Sequence, residues 1–256
     1  MDRTPPTEIR RRLRKEVGFG CPVPGCGNPY LYWAHFDPPW RELKHHNPDG
    51  MIALCAEHHA KADAGAYTKD QLREFKCLAA ERSSGIRGQF EWMRQTLLGV
   101  VGGNFYYETP IIFQFRDVPI IWFNRDEDGY LLLNVRMLSV SREPRVQIED
   151  NFWLSRGNPV DLESPPSGRL LSVSYSNGDA LKVEFFELRS IADAIIRYPS
   201  ARAEEWGVPF PITSVEVHMK VAGTDIEFSP QQTTLPGRNV IRNSFFRKCR
   251  AGIAIE

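Results

Sequence analysis

Five of the six histidines lie between His35 and His59, and three of the five cysteines lie between Cys21 and Cys55. Thiolate and imidazole are the two side chains that zinc prefers, so their concentration in one short stretch points to a metal. Cys21 and Cys26 bracket a Pro-Val-Pro-Gly turn that brings them together, and Cys55 and His58 stand one helical turn apart. Three thiolates and one imidazole make a closed tetrahedral set of the structural kind. The plainer alternative, buried core cysteines, does not account for the clustering.

A closed set leaves His35 and His59 without a task. Here the stretch resembles the HNH, or ββα-metal, nuclease family over residues 8–80, about a third of the chain. In that family a knuckle leads into a strand whose end carries the general-base histidine. A loop with a central Asn follows, and then a helix bearing the last histidine. His35, in Ala34-His35-Phe36, matches the first of these, and Asp49, in Pro48-Asp49-Gly50, stands where the Asn is usual. His59, in Cys55-Ala-Glu-His58-His59, matches the last, while Asp63 and Gly65 fit a variant ending in HH-x-x-x-D-x-G.

The resemblance implies a metal-dependent DNA endonuclease, and the chemistry suits the residue types. Phosphodiester hydrolysis needs a base for water, and neutral imidazole titrates near working pH. It also needs a cation, Mg²⁺ or Mn²⁺, to neutralise charge developing on the phosphate. Spaced by four, His59 and Asp63 share a helix face and can reach one such ion. Asp49 would hold the base-bearing loop or the ion. The family usually places Asp or His directly before the base, as a further ligand of that ion. This chain has Ala34 there, which suggests an inactivated variant unless His59 and Asp63 suffice.

Composition sets the frame. The 256 residues suggest two domains, and 42% hydrophobic content with 11% aromatics is enough for a core. Lys plus Arg and Asp plus Glu both number 32, but residues 1–88 carry a net of +3 and the remainder −3. The excess lies with the motif, as a nucleic-acid binder requires, though it is slight. No apolar run is long enough for a membrane-spanning helix, and the amino terminus lacks a secretory signal. Cys77 and Cys249 remain unpaired in this reading, which fits a reducing cytoplasm.

The elements that must hold these residues can be read in order. Residues 8–17 form a short helix carrying Arg10, Arg11, Arg12, Arg14 and Lys15. Arg11, Arg12, Arg14 and Lys15 are the candidate DNA-phosphate contacts, against the alternative of a solvated helix face. Residues 31–36 read as a first strand and 51–55 as a second, running into the helix of His58 and His59. His45 and His46 fall in the loop between, as exposed side chains. A capping box, Thr68 to Gln71, opens a helix expected over 69–82. Ser83-Ser84-Gly85 is the expected boundary between domains 1–85 and 86–256. A further helix is expected over 89–98.

From Asn104 onward the texture is β. Strands are expected at 105–107, 111–115, 119–123, 130–138, 146–148, 170–175, 181–188, 213–220, 225–228, 240–246 and 252–255, with one helix at 190–198. Asn177-Gly178 is the strongest hairpin signal. A single coil of parallel β-helix over 239–255 is a minority alternative. The expected class is α+β: a small zinc-stabilised ββα-metal domain followed by a larger, mostly antiparallel β domain. That second domain could sense a ligand, clamp DNA, or bind a partner protein or further copies of the chain. A nuclease head joined to such a domain resembles bacterial antiphage defence effectors. The rivals are a non-catalytic zinc-knuckle module that binds nucleic acid and an assembly protein built by the β domain.

Overall fold

The computed structural model describes residues 2–79 and 85–256. The amino-terminal unit is built on an antiparallel hairpin, β1 (Leu31–His35) and β2 (Met51–Cys55), registered Leu31 to Cys55 and His35 to Met51. Its helices are α1 (Thr7–Glu16), α2 (Ala56–Asp63) and α3 (Lys69–Ala79). β2 is buried at every position and is touched by both α1 and α2, and an apolar run is what such a buried strand requires. Leu13, Leu31, Ile52, Leu54 and Leu72 form the core of this unit. The expected capping box is present: Gln71 N–H donates to Thr68 Oγ1 at 3.2 Å, and Thr68 N–H to Gln71 Oε1 at 2.9 Å. The expected end of that helix at residue 82 and part of the expected boundary lie outside the described residues.

Residues 85–256 form two facing sheets. The first runs in the order β19 (Ala251–Ile255), β6 (Ile111–Phe115), β7 (Val118–Arg125), β8 (Leu131–Arg136), β9 (Gln147–Glu149), β10 (Phe152–Leu154), β3 (Arg87–Gln89). The second follows the path β11 (Pro159–Glu163), β12 (Leu170–Tyr175), β13 (Ala180–Leu188), β14 (Ile212–Lys220), β15 (Glu227–Phe228), β16 (Thr233–Leu235), β17 (Asn239–Ile241). Beside β14 lie β4 (Leu97–Val101), then β5 (Asn104–Tyr107), then β18 (Phe245–Arg247). The main core, between the sheets, includes Phe113, Ile121, Val135, Trp153, Val183, Phe185 and Val217. A second core on the outer face of the larger sheet is covered by α4 (Ile191–Arg197) and Trp206.

The chain is thus α+β, with four α-helices among the described residues and large, mainly antiparallel sheets. The hairpin at Asn177-Gly178 forms as expected, with Gly178 at φ 93°. The helix expected over 89–98 is absent: residues 90–96 run as irregular chain between β3 and β4. Leu97 and Val101 enter one core and Leu98 and Val100 the other. Phe90 and Trp92, which suggest the helix, lie before β4, with Phe90 buried in the main core and Trp92 packed against it, so burial of an irregular segment imitates helical spacing. No β-helix coil forms at the end of the sequence: β17 pairs with β16, β18 with β5 and β19 with β6.

A candidate metal centre and the histidines around it

The knuckle is set by backbone bonds. Cys21 N–H donates to Asn28 O at 2.8 Å, Cys26 N–H to Val23 O at 3.0 Å and Gly27 N–H to Cys21 O at 3.1 Å. Gly25 and Gly27 hold φ of 81° and 65°, a region that favours glycine. Cys55 ends β2 and precedes α2, so His58 returns over it one turn later. Cys21 Sγ and Cys55 Sγ lie 3.3 and 3.2 Å from His58 Nδ1, and Cys26 Sγ lies 3.8 Å from Cys55 Sγ. All four ligand atoms fall within 4.8 Å of one another. Sulfurs bound tetrahedrally to zinc at about 2.3 Å stand roughly 3.7–3.8 Å apart, so the set fits that ion. Burial pushes the Cys21 and Cys26 thiols up. Three thiolates gathered here therefore need a cation, and zinc would supply it. The Cys21, Cys26, Cys55 and His58 set can hold a structural zinc.

His59 points away from that cluster. Its Nδ1 lies 3.4 Å from Asp63 Oδ2, and its ring meets Tyr32 at 6.0 Å between centroids. Tyr32 and Ala34 share one face of β1, by strand alternation, and His35 belongs to the other. Ala34 is buried at the base of the hairpin.

His35 is 7% exposed and packs against Trp40 at 4.7 Å, His45 at 5.3 Å and His46 at 5.9 Å between ring centroids. Neither of its ring nitrogens has a hydrogen-bond partner among the described residues. Burial, reinforced by His45 and His46, lowers its pKa to about 4. His35 is therefore a neutral imidazole at physiological pH. The structure gathers His59 with Asp63, and His35 with the loop histidines, as two separate groups.

The loop differs from its expected exposed state. His45 and His46 are half-buried, and Trp40 stacks on His46 at 5.5 Å. His45 Nε2 lies 2.9 Å from Pro38 O, and its Nδ1 accepts from Asn47 N–H at 3.0 Å. Gly50 carries two loop bonds, from Phe36 N–H at 2.9 Å and Asp37 N–H at 3.1 Å, and a Cβ there would strike the Asp37 carbonyl. Lys76 clamps the same turn, donating to Pro48 O at 2.9 Å and Met51 O at 3.0 Å. Asp49 faces α1, with Arg12 Nη2 at 2.7 Å from its Oδ1. Sequence reasoning missed Trp40 and Lys76 and took His45 and His46 as exposed; that adjacent pair was the available signal.

The basic helix, expected either to contact phosphate or to present a solvated face, has Arg11, Arg12 and Arg14 paired with carboxylates of the chain. Arg14 is buried and donates to Asp161 at 2.8–3.1 Å through Nε and Nη2. Arg11 Nε pairs with Asp161 at 3.1 Å, and Arg12 Nε with Glu16 at 2.7 Å. Of the four candidate contacts, only Lys15 is both exposed and outside these pairs.

Comparison of the chain with models of known protein families, with curated proteins and with solved structures yields no match. No helix among the described residues is long and apolar enough to cross a membrane.

Proposed function

We propose that the amino-terminal unit is the head of a metal-dependent endonuclease of the HNH type, acting on DNA phosphodiesters. The observation that carries this reading is the hairpin–helix unit pinned by the Cys3His set, in which His35 ends β1 and His59 directly follows the ligand His58. His35 would take a proton from the attacking water; its neutral state leaves a ring lone pair free for this. His59 and Asp63 already hold two ligand atoms 3.4 Å apart, within reach of one Mg²⁺ or Mn²⁺. Such an ion would supply charge neutralisation at the phosphate. Alternation along β1 supports Ala34 as a vacated ligand position, since residue 34 lies on the Tyr32 face that meets His59. The test is nicking of supercoiled plasmid with Mg²⁺ or Mn²⁺, with His35→Ala and His59→Ala abolishing it.

A second reading is favoured by the burial of His35 and the presence of Ala34: a zinc-stabilised module that binds nucleic acid without cutting it. Plasmid that is bound but stays uncut, including by the Ala34→His protein, would select that reading.

A further inference from the structure

We propose that β11 is a displaceable acidic latch, whose Asp161 and Glu163 occupy the arginine face of α1 that a DNA backbone would otherwise take. The proposal rests on the nucleic-acid reading above and adds a regulation to it.

Three arginines one and four residues apart on α1 meet only two carboxylates. Arg14 is shared between Asp161 at 2.8 Å and Glu163 at 3.4 Å, Arg11 takes Asp161 at 3.1 Å, and Arg10 reaches Glu163 at 3.8 Å. The cluster keeps one uncompensated positive charge. Its donors form the fork geometry that suits phosphate as well as carboxylate. Arg14 itself is buried, at 4% exposed, but the junction opens on one side. A cleft of about 210 Å³ opens beside it, lined by Arg10, Arg14, Trp33, Glu163 and Pro165. Among the described residues, backbone pairing across the junction is limited to the parallel bridge between Tyr30 and Ser164. Burying ion pairs is a poor way to add stability, and polar contacts of this kind between units characterise exchangeable interfaces. Phosphate and β11 would then compete for the same guanidinium groups, and by linkage each would weaken the other.

The test uses the full chain with Asp161→Asn and Glu163→Gln together, which keep shape and remove charge. Binding of a 20-base-pair duplex is followed by fluorescence anisotropy across a salt series, with hydrogen exchange of residues 7–16 in parallel. The latch predicts binding at least about tenfold tighter at physiological salt, with a log–log salt slope steeper by about two to three, as freed arginines meet phosphates. It also predicts that duplex added to the unaltered chain raises exchange in β11. Unchanged affinity and slope would overturn the proposal, whether or not exchange in α1 rises. If the double variant does not fold, Glu163→Gln alone frees Arg10 and should give about a threefold gain and a slope change near one; no change would be equally fatal. Plasmid nicking is scored separately, so a failed nuclease leaves the binding result standing, and a failed latch leaves any nicking standing.

Discussion

Burial and two neighbouring imidazoles keep His35 uncharged until the pH falls to about 4, whereas in an unfolded chain it would charge near 6.5. The unfolded state therefore binds the proton first. The stability tied to neutral His35 is fully present above about pH 6.5 and is lost as pH falls from there toward 4. Between pH 7.5 and 5, the parent should lose on the order of 1–3 kcal/mol more than His35→Gln in urea unfolding, the zinc set being common to both. Equal losses would show that His35 is solvated. Ala34 yields a second expectation. Ala34→His should raise Mg²⁺-dependent plasmid nicking, and adding His35→Ala should then remove it by about 10²–10⁴-fold. Nicking already present in the parent and unchanged by Ala34→His would mean that His59 and Asp63 suffice. At this scale the ligand types and spacing were legible, because four metal ligands constrain one another within 37 residues of sequence. The fates of Arg11, Arg14 and Asp49 were not. Each is decided by a partner far along the chain, Asp161 for the first two and Arg12 for the third.

The hairpin and α2 are joined through the Cys3His set as much as through apolar contact, for α2 has no buried residue of its own. Freshly purified protein should carry one zinc per chain by elemental analysis. Chelation should collapse the helical signal of the head, because such small units draw much of their folding free energy from the metal. Cys55→Ser should do the same without chelator; a folded, zinc-free variant would show that the set is only a cysteine cluster. Among the elements, the alternating strands β12 and β13 and the Asn-Gly turn were readable, since one face of each pairs with a core. β4 was not. With Leu97 in one core and Leu98 in the other, period two is erased and only the β-branched Val100 and Val101 favour a strand.

At the scale of the molecule, the two units keep separate cores but exchange anchors. Phe19, which follows α1, is 3% exposed within the β core beside Ile86. Tyr30 joins the knuckle to β3, its hydroxyl donating to Gln89 O at 2.6 Å and accepting from Gln89 N–H at 2.9 Å. Phe19→Ala should therefore lower the unfolding free energy of the β unit by about 3 kcal/mol while leaving zinc content unchanged. A loss confined to the head's transition would place Phe19 with the head instead. The β character of residues 104–256 could be read from their texture. Their division into two sheets could not, because the pairings that decide it are distant.

The order of pairing has a consequence for synthesis. The parallel partners of β5 and β6 are β18 and β19, separated from them by well over a hundred residues. β4 likewise waits for β14. The hairpin, α2, α3 and the four ligands are complete by residue 79. During translation the head can take its metal and fold early, while the larger sheet stays open until residue 247 exists and the smaller until residue 255. Until β11 (Pro159–Glu163) has been made, the arginines of α1 have no Asp161 or Glu163 to meet, and on a ribosome the nearest polyanion is ribosomal RNA. If α1 binds phosphate as proposed, early, unlatched affinity for polyphosphate would follow from this chain order, and slow sheet closure at high contact order would lengthen it.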